Sequence, residues 1–596
     1  MACHRCSLLL LYVTVVFHGH TAAQGGGEDL ANIAACDSEI YCSGRLLEAA
    51  QNAHVFNDSK TFVDMKMKSE GDEILRAFDA LAAGGANLSS AEVMRGFLDQ
   101  WFDPPGSEFE VWQPTDWRDS PEFLNHVADS SLREWGRHVH QLWKSLGRNI
   151  KPDVRARPHL YSLLYVPHPV IVPGGRFREF YYWDTYWIIR GLLLSEMTET
   201  TRGMLSNFAE MVKRFGFVPN GGRVYYSRRS QPPVLTLAVR DYLDKTNDTV
   251  FVQTVMPQLE MEYNFWMRDR NVTVRGRDNG QHVLNQYRSF IGKSRPESWR
   301  EDEDAARSLQ SGTDPAEFHA NVASACESGW DFSSRWYAHG DDVTSIRTTD
   351  IIPVDLNVFM CACEAALANM SLLLGRGEAA AQYQAAVERR RAAIDAVLWS
   401  DQQGVWLDYN SATGQHTDRF YASNIFPLYN TCYGDGTAQA DIEGRVVDYL
   451  KKESVLIYPG GFPTSRVPSG EQWDFPNGWP PLQHLVIESL AGSPVREAQR
   501  LAQDLAQRWI NTNYGQFVRT QAMWEKYDVE TGEHPGSGGE YDVQVGFGWT
   551  NGVVLHLLDK YGHVLRAPPA STAAAPVLHL VPLILNLTAA VITGQV

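Results

Sequence analysis

The sequence predicts an all-α fold, a single helical domain whose active face is built from loops. Apolar residues recur at helical spacing in several long segments, a periodicity typical of amphipathic helices. Glycines, prolines and tryptophans concentrate in the segments between them. No Pro/Ser-rich linker or low-complexity stretch divides the 596 residues, so one domain is favoured over the roughly four that length alone suggests.

Six segments carry the helical spacing. Residues 356–374 and 378–399 flank Gly375-Arg376-Gly377 and therefore predict an αα-hairpin. The other predicted helices are residues 182–194, 204–215, 445–452 and 495–513. The loops richest in Gly, Pro and Trp are residues 217–233, 287–299, 328–336, 458–481 and 524–549. Because function concentrates in loops on a rigid scaffold, we expect the site there.

Composition excludes several classes of partner. The formal net charge of -18 argues against nucleic acid or an anionic membrane surface, which this chain would repel, whereas a neutral substrate is unaffected. The 18 histidines show no metal-ligand spacing, and no glycine-rich phosphate loop occurs. We therefore expect no metal and no cofactor.

The N-terminus has the pattern of a secretory signal peptide, residues 1–23. Arg5 precedes an apolar stretch from Leu8 to Phe17, and the small residues Ala22 and Ala23 follow, with cleavage expected after Ala23. A transmembrane anchor is the weaker alternative, because ten apolar residues are too few for a span of about 20.

The C-terminus, residues 567–596, resembles a signal for a glycosylphosphatidylinositol (GPI) anchor. Ala570, Ser571 and Thr572 are small, and an apolar run covers residues 577–592, so we expect attachment at Ser571 and removal of the tail. The protein would then sit on the outer membrane leaflet. A disordered tail is the alternative, because Pro582 interrupts the run and the spacer is short and apolar. Residues 24–566 remain as the mature domain.

Cysteines and sequons fit an exported protein. Cys36 and Cys42 can close a small loop in an oxidising compartment, whereas Cys361 and Cys363 are interpreted as buried thiols on a helix. Candidate glycosylation sites in N-x-S/T sequons are Asn57, Asn87, Asn247, Asn271 and Asn369. The last of these lies in an apolar helical run, which counts against it.

One segment indicates a sugar-binding wall. The sequence PGGRFREFYYWDTY at residues 173–186 opens a stretch in which seven aromatic rings fall between Phe177 and Trp187, interleaved with Arg176, Arg178, Glu179 and Asp184. Aromatic faces stack on pyranose rings, and arginines and carboxylates match hydroxyl groups. A purely aromatic core is the alternative, but each charge in it would have to be paired.

Loop carboxylates supply the candidate chemistry. Cleaving a glycosidic bond needs one carboxylic acid to protonate the leaving oxygen and a second carboxylate as nucleophile or base. The candidates are Asp184, Asp331, Asp474, Glu525 and Glu540, each of which could instead cap a helix or pair with an arginine. Trp330 and Phe332 flank Asp331 and favour a raised pKa, whereas Lys526 beside Glu525 favours an ionised base. The charge run at residues 301–304 is interpreted as a solvated face.

Five segments together resemble the trehalase family. They are PGGRFREFYYWDTY at 173–186, ESGWDFSSRW at 327–336, QWDFPNGWPP at 472–481, WEKYD at 524–528 and GSGGEY at 536–541. The resemblance covers about residues 29–561, and with both targeting ends the chain is similar to the membrane-anchored trehalases of animals. Ser537 departs from the family's glycine run, and we expect the neighbouring glycines to keep the turn.

The resemblance implies an (α/α)6 barrel that hydrolyses α,α-trehalose to two glucoses with inversion and without metal. By the family's motifs, Asp331 would be the general acid and Glu525 the general base. The implied substrate-binding residues are Arg176, Trp183, Asp184, Asn220, Arg229, Ser230, Gln231, Arg295, Pro296, Glu297, Gly329 and Glu540. A homo-oligomer remains an open alternative to a monomer.

Two other functions compete with this interpretation. The first is another enzyme of the same barrel type, a glucosidase or glucoamylase that acts on α-1,4-linked chains. The second is a glycan-binding protein that kept the pocket and lost the chemistry. The second is disfavoured because Asp331 and Glu525 both stand in intact motifs.

Overall fold

The computed structural model describes residues 36, 38–340, 342–434 and 439–569. The predicted signal peptide at residues 1–23, Ser571 and the rest of the C-terminal run lie outside the described residues.

Helices make up most of the described chain. They are α1 Arg45–Asn52, α2 Lys60–Val63, α3 Gly71–Ala83, α4 Ala91–Trp101, α5 Ser130–Gln141, α6 Trp143–Leu146, α7 Pro152–Ala156, α8 Tyr182–Leu194, α9 Thr198–Phe215, α10 Leu235–Thr246, α11 Thr249–Asp269, α12 Trp299–Arg307, α13 Pro315–Ser328, α14 Val354–Leu373, α15 Gly377–Val397, α16 Gln439–Lys452, α17 Pro480–Ala491, α18 Arg496–Thr520 and α19 Gly548–Tyr561. A 3₁₀ segment, Ala422–Thr431, replaces a helix between α15 and α16.

Short antiparallel strands join the loops, an element that the all-α prediction omitted. They are β1 Lys66–Met67, β2 Phe102–Asp103, β3 Phe109–Val111, β4 Gly147–Ile150, β5 Val170–Ile171, β6 Asn271–Arg275, β7 Gln281–Asn285, β8 Ile351–Ile352, β9 Trp399–Ser400, β10 Val405–Trp406, β11 Tyr409–Asn410, β12 Gln415–His416, β13 Asn477–Gly478 and β14 Tyr527–Asp528. The sheets have two or three strands each, so the fold remains a helical one.

The inner helices form a closed ring. Helix α8 packs against α10, α10 against α14, α14 against the 3₁₀ segment, that segment against α17, α17 against α19, and α19 again against α8. Outside this ring, α9 packs on α8 and α10, α11 on α10 and α14, α15 on α14, α18 on α17 and α19, and α5 on α19. The alternation of inner and outer helices confirms the expected (α/α)6 barrel.

Burial separates the two layers. In α8, eleven of thirteen residues are buried, whereas α15 buries six of twenty-one, because an inner helix is covered on all sides and an outer helix on one. Helix α14 is apolar and long enough to cross a membrane, but 78% of its apolar window is buried inside the barrel. Close packing of α19 on α8 requires glycine at Gly552, where a Cβ would meet the Trp187 carbonyl.

Because an outer helix returns the chain between successive inner helices, the inner helices all run in the same direction. The loops that precede the inner helices therefore lie at one end of the barrel. Residues 173–181 lead into α8, 458–479 into α17 and 521–547 into α19. This end therefore carries the loops in which the sequence placed its candidate residues.

Cysteine pairing was predicted in part. The Cys36–Cys42 disulfide is confirmed. The interpretation of Cys361 as a thiol is wrong: it forms a disulfide with Cys432, which follows the 3₁₀ segment packed on α14. Cys363, two residues further along α14, is a buried free thiol as expected.

All five sequon asparagines have exposed side chains. They are Asn57, Asn87, Asn247, Asn271 and Asn369. Asn369 faces outward from an otherwise buried stretch of α14, so the apolar run around it does not bury the acceptor.

Candidate active site

A cavity opens at the end of the barrel where these loops meet. Twelve of the fourteen predicted site residues line it: Arg176, Trp183, Asp184, Asn220, Arg229, Gln231, Arg295, Glu297, Gly329, Asp331, Glu525 and Glu540. The other two lie behind the wall. Ser230 donates its hydroxyl to the Val218 carbonyl and its N–H to Glu327, and Pro296 begins a buried 3₁₀ turn.

Asp331 has the environment of a general acid. It follows α13, and Trp330 and Phe332 beside it are buried. Desolvation raises the pKa of Asp331 to about 7, against an opposing effect of Arg295. The flanking rings were the sequence signal for this shift, and they supply it by excluding water. Asp331 therefore keeps its proton up to neutral pH.

Gly329 brings the acid loop against the aromatic wall. It ends α13 with φ of +77°, and a Cβ there would lie 2.7 Å from the Trp183 ring. Only glycine fits both requirements, so the position of Asp331 two residues later depends on it.

Glu525 is a buried carboxylate that also lines the cavity. Its Oε1 accepts a hydrogen bond from the Tyr541 hydroxyl at 3.0 Å, and its Oε2 accepts a long one, 3.4 Å, from the Gln544 N–H. The sequence predicted that Lys526 favours the ionised form of Glu525. Lys526 does lower the pKa of Glu525, but desolvation outweighs it and the net direction is upward. The Lys526 ammonium donates instead to Gln472 at 2.7 Å.

An arginine and a glutamate each leave one polar atom without a partner among the described residues. Arg229 donates to Asn220 at 2.7 Å and to Glu297 at 2.5 Å. Its Nη1 and the Glu297 Oε2 are buried and make no hydrogen bond within the described chain, and both residues line the cavity. One donor and one acceptor of this kind match a sugar hydroxyl, which both donates and accepts.

Arg295 is held by two carboxylates, one on a helix and one in a loop. Asp302 on α12 accepts from its guanidinium at 2.5 Å, and Glu540 accepts at 2.7 Å. The Ser298 hydroxyl donates to the other Glu540 oxygen at 3.0 Å. The interpretation of residues 301–304 as a solvated face is wrong for Asp302, which is buried because it pairs with Arg295.

Arg176 is held from the N-terminal part of the chain. Asp58 accepts two hydrogen bonds from its guanidinium, at 2.8 and 2.7 Å, and Arg176 holds the pKa of Asp58 well below its usual range despite desolvation. The same guanidinium lies 4.5 Å from the centre of the Tyr541 ring. Asp58 thereby fixes a side chain of the cavity wall without reaching the cavity itself.

Tryptophans form the apolar side of the cavity. The rings of Trp473 and Trp479 stack at 3.7 Å with an interplanar angle of 2°, and Trp549 meets Trp479 edge-on at 5.6 Å. Trp183 lies 5.9 Å from Trp549. Such a surface suits the C–H face of a pyranose.

The remaining two candidate carboxylates have different places. Asp184 lies in the first turn of α8 on the cavity wall, and desolvation, with Glu525 and Asp331 nearby, raises its pKa well above the ordinary value. Asp474 is buried and accepts from the Ser334 N–H and the Ser469 hydroxyl at 2.7 and 2.6 Å. Asp474 therefore has a structural role in joining two loops.

Comparisons with known proteins show which family the chain belongs to. The family profile described as Trehalase matches residues 54–562. The chain belongs to the trehalase family. It is 46% identical over 535 residues to the trehalase of Homo sapiens, which covers 89% of this chain and 91% of that protein. It is 44% identical over 536 residues to the trehalase of Apis mellifera, with coverage of 89% and 85%. As a member of this family the protein is a glycosidase.

A solved structure supports the fold. Neutral trehalase Nth1 from Saccharomyces cerevisiae superposes with a TM-score of 0.57 at 21% identity, over 73% of this chain and 95% of that one. At this identity the likeness shows the barrel architecture and nothing finer.

Several lining residues escaped the sequence analysis. They are Tyr226, Ser298, Cys326, Trp473, Trp479, Tyr541, Phe547 and Trp549, whereas Phe177 and Tyr181, which also line the cavity, belong to the aromatic stretch predicted to bind a sugar. Some belong to the motifs that carry the family resemblance, so the motifs were the available signal. Tyr541, for example, directly follows Glu540 in the glycine-rich segment.

The glycine-rich loop keeps its turn despite Ser537. Gly538 and Gly539 have φ of +76° and +91°, and a Cβ on Gly538 would meet the Gly470 carbonyl at 2.3 Å. The Ser537 N–H donates to Asn477 at 3.0 Å, a bond that any residue there could make.

The described residues hold one group with metal-ligand chemistry, away from this cavity. His484 and Glu488 on α17 and His556 on α19 place their ligand atoms within 4.8 Å of one another. The Lys560 ammonium already contacts both Glu488 oxygens, at 2.8 and 2.7 Å, and the Arg190 guanidinium lies 3.4 Å from His556. Two cations at the ligand atoms make this an ion-pair network that disfavours a metal, and the expectation of a metal-free protein stays a prediction.

Proposed function

We propose that the protein hydrolyses α,α-trehalose to two glucose molecules with inversion of configuration, with Asp331 as general acid and Glu525 as general base. The observation that carries the proposal is a pair of carboxyls in one cavity, of which Asp331 has a pKa of about 7. The curated relatives of this chain, at 40–46% identity, are named trehalases, which supports the disaccharide as substrate.

The chemistry follows from the two environments. Asp331, which is protonated below a pKa of about 7, donates its proton to the glycosidic oxygen as the C–O bond breaks. Glu525, as carboxylate, takes a proton from a water molecule whose oxygen forms the new bond at the opposite face of the sugar. One glucose leaves with the bridging oxygen and the other carries the water oxygen, so two glucoses account for all atoms.

The binding side chains orient the disaccharide for this step. Arg229 and Glu297 offer an unpartnered donor and acceptor, and the stacked tryptophans cover an apolar sugar face. Since the cavity is walled by aromatic rings and buried ion pairs, hydrogen bonds to hydroxyl groups are stronger there than in bulk water.

The test follows the anomer of glucose by NMR as trehalose is cleaved. Inversion predicts one fresh β-glucose and one α-glucose per turnover, and two α-glucoses would refute it. Asp331→Asn and Glu525→Gln should each lower turnover by about 10²–10⁴-fold while the circular dichroism is unchanged. The matched control is Asp542→Asn, which changes an exposed carboxylate in the same loop as Glu525 and should keep normal turnover. Near-normal turnover in either cavity variant contradicts the role given to that residue.

Measuring glucose release from trehalose and from maltose distinguishes a trehalase from the alternative enzyme. A glucosidase or glucoamylase would release glucose from maltose at a higher kcat/KM than from trehalose. A glycan-binding protein without catalysis would release none from either sugar.

We also propose that the protein is exported, glycosylated and attached to the outer face of the plasma membrane by a GPI anchor at Ser571. Supporting this are the two terminal patterns in the sequence, the five exposed sequons and the Cys36–Cys42 disulfide. Phosphatidylinositol-specific phospholipase should release the activity from intact cells, and retention after treatment would count against the anchor.

A further inference from the structure

Tyr541 occupies a place that the catalytic roles above leave unassigned. It lines the cavity directly after Glu540, and its hydroxyl donates to Glu525 Oε1 at 3.0 Å. Because the rest of the phenol is a rigid ring, the direction of this bond depends on how the ring is held.

The ring is held on two sides. The guanidinium of Arg176 lies over its face, 4.5 Å from the ring centre, and Phe177 meets it edge-on at 5.5 Å. Arg176 is in turn fixed by both oxygens of Asp58. A chain of contacts therefore runs from Asp58 through Arg176 and Tyr541 to the carboxylate of Glu525.

The two oxygens of Glu525 are consequently not equivalent. Oε1 accepts the bond of 3.0 Å from the Tyr541 hydroxyl, whereas the one hydrogen bond that Oε2 accepts within the described chain is the longer one, 3.4 Å, from the Gln544 N–H. A carboxylate that accepts a strong hydrogen bond on one oxygen presents the other to a further donor.

We infer that Tyr541 is a positioning residue for the base: its hydroxyl binds Oε1 of Glu525 and so aims Oε2 at the attacking water. This rests on the proposed function of Glu525. In the step, the water oxygen bonds to the anomeric carbon, its proton passes to Oε2, and the Tyr541 hydroxyl keeps its own proton throughout.

Three charged groups affect the ionisation of Glu525 in addition to the neutral Tyr541 hydroxyl. Lys526 and Arg176 favour its ionised form, and Asp184 disfavours it. The hydrogen bond from Tyr541 also favours the ionised form. Removing the hydroxyl alone leaves the other three groups in place, so Tyr541→Phe should shift ionisation of Glu525 to higher pH.

The experiment measures kcat and KM for trehalose against pH in Tyr541→Phe. We expect the kcat plateau to fall about 10- to 100-fold, KM to stay within about twofold, and the acidic limb of the kcat/KM profile to move up by about one pH unit. An unchanged plateau, or a loss found only in KM, overturns the inference.

The matched control is Tyr263→Phe. Tyr263 on α11 also donates to a carboxylate, Glu364 at 3.2 Å, but it does not line the cavity. The kcat plateau and the acidic limb of the kcat/KM profile should therefore stay as in the wild type. A control variant that lowers kcat as much as Tyr541→Phe does would overturn the inference, since any lost phenol–carboxylate bond would then suffice.

A double mutant distinguishes a positioning role of Tyr541 from a merely structural effect of its loss. If Tyr541 acts through Glu525, then adding Tyr541→Phe to Glu525→Gln should lower turnover no further than Glu525→Gln alone. Additive losses overturn the inference. If the wild type releases no glucose from trehalose, the proposed function and this inference fail together; if it does and Tyr541→Phe is normal, only this inference fails.

Discussion

Replacing Asp331 by Asn should make the protein more stable at neutral pH although it removes turnover. Desolvation raises the pKa of Asp331 from 3.8 to about 7, so the folded state disfavours the ionised form. At about 1.4 kcal/mol per pKa unit, the cost at pH above 7 is about 4 kcal/mol. An amide of the same shape carries no charge and escapes this cost. Its own unmade hydrogen bonds reduce the gain to about 1–3 kcal/mol.

The pH dependence of this gain has a definite sign. Below about pH 4 the carboxyl of Asp331 is protonated in the folded and unfolded states, and ionisation costs nothing. Between about pH 4 and 7 only the unfolded state releases the proton, so the wild type loses stability as pH rises through this window. Above pH 7 the difference between wild type and Asp331→Asn should be constant.

Thermal unfolding at pH 8 and pH 4.5, at one scan rate, measures this. The midpoint of Asp331→Asn should exceed that of the wild type at pH 8 and approach it at pH 4.5. Asp241→Asn is the control of opposite sign, because Asp241 pairs with Arg190 and Arg240, which hold its pKa below the ordinary value. A lower midpoint for Asp331→Asn at pH 8, or a gain that is larger at pH 4.5, would refute the reasoning.

Two further predictions concern residues outside the cavity. Asp58→Asn should raise KM for trehalose about 10-fold, because it loosens Arg176. Asp153→Asn is the control: it loses the same two-oxygen contact, but with the surface residue Arg157, and should leave KM unchanged. Equal KM values for the two variants would contradict the role of Asp58. Cys432→Ser, which opens a disulfide across 71 residues, should cost about 2–5 kcal/mol and lower the thermal midpoint, whereas Cys363→Ser should leave it nearly unchanged.

The sequence predicted helices where one face is apolar or where a glycine marks the end. The hairpin of α14 and α15 was found within two residues of its observed bounds, because Gly375 and Gly377 separate the helices. Helices α17 and α19 were missed. Both are buried on nearly all sides, but so is α8, which was predicted at its observed bounds, and the amphipathic α5 was missed as well. The lack of an amphipathic period therefore does not explain which helices were missed.

The motifs of the sequence named candidate residues that lie together in one cavity, whereas partners from far along the chain were not predicted. Asp331 and its raised pKa could be inferred from two adjacent aromatic residues. Asp58, which holds Arg176, could not, since it lies 118 residues from its partner. Asp302 lies seven residues from Arg295, but the charge run around it predicted a solvated face. Charge pairing depends on which loops the barrel brings together, and local sequence does not record that.

The segment at 173–186 shows why the sugar-wall and core interpretations were hard to separate. Phe177, Tyr181 and Trp183 line the cavity, whereas Phe180, Tyr182, Tyr186 and Trp187 are buried in the barrel. The rings therefore divide between the cavity wall and the core of the barrel.

The charges of that segment divide in the same way. Arg176 and Asp184 line the cavity, while Glu179 is fully buried and pairs with Lys60 at 2.8 Å and Arg223 at 3.1 Å. An aromatic core can thus contain charges if each is paired, and residues 58–64 supply partners to both groups. The N-terminal part of the chain is consequently part of the catalytic unit, because without it Arg176 and Glu179 would each lose a partner.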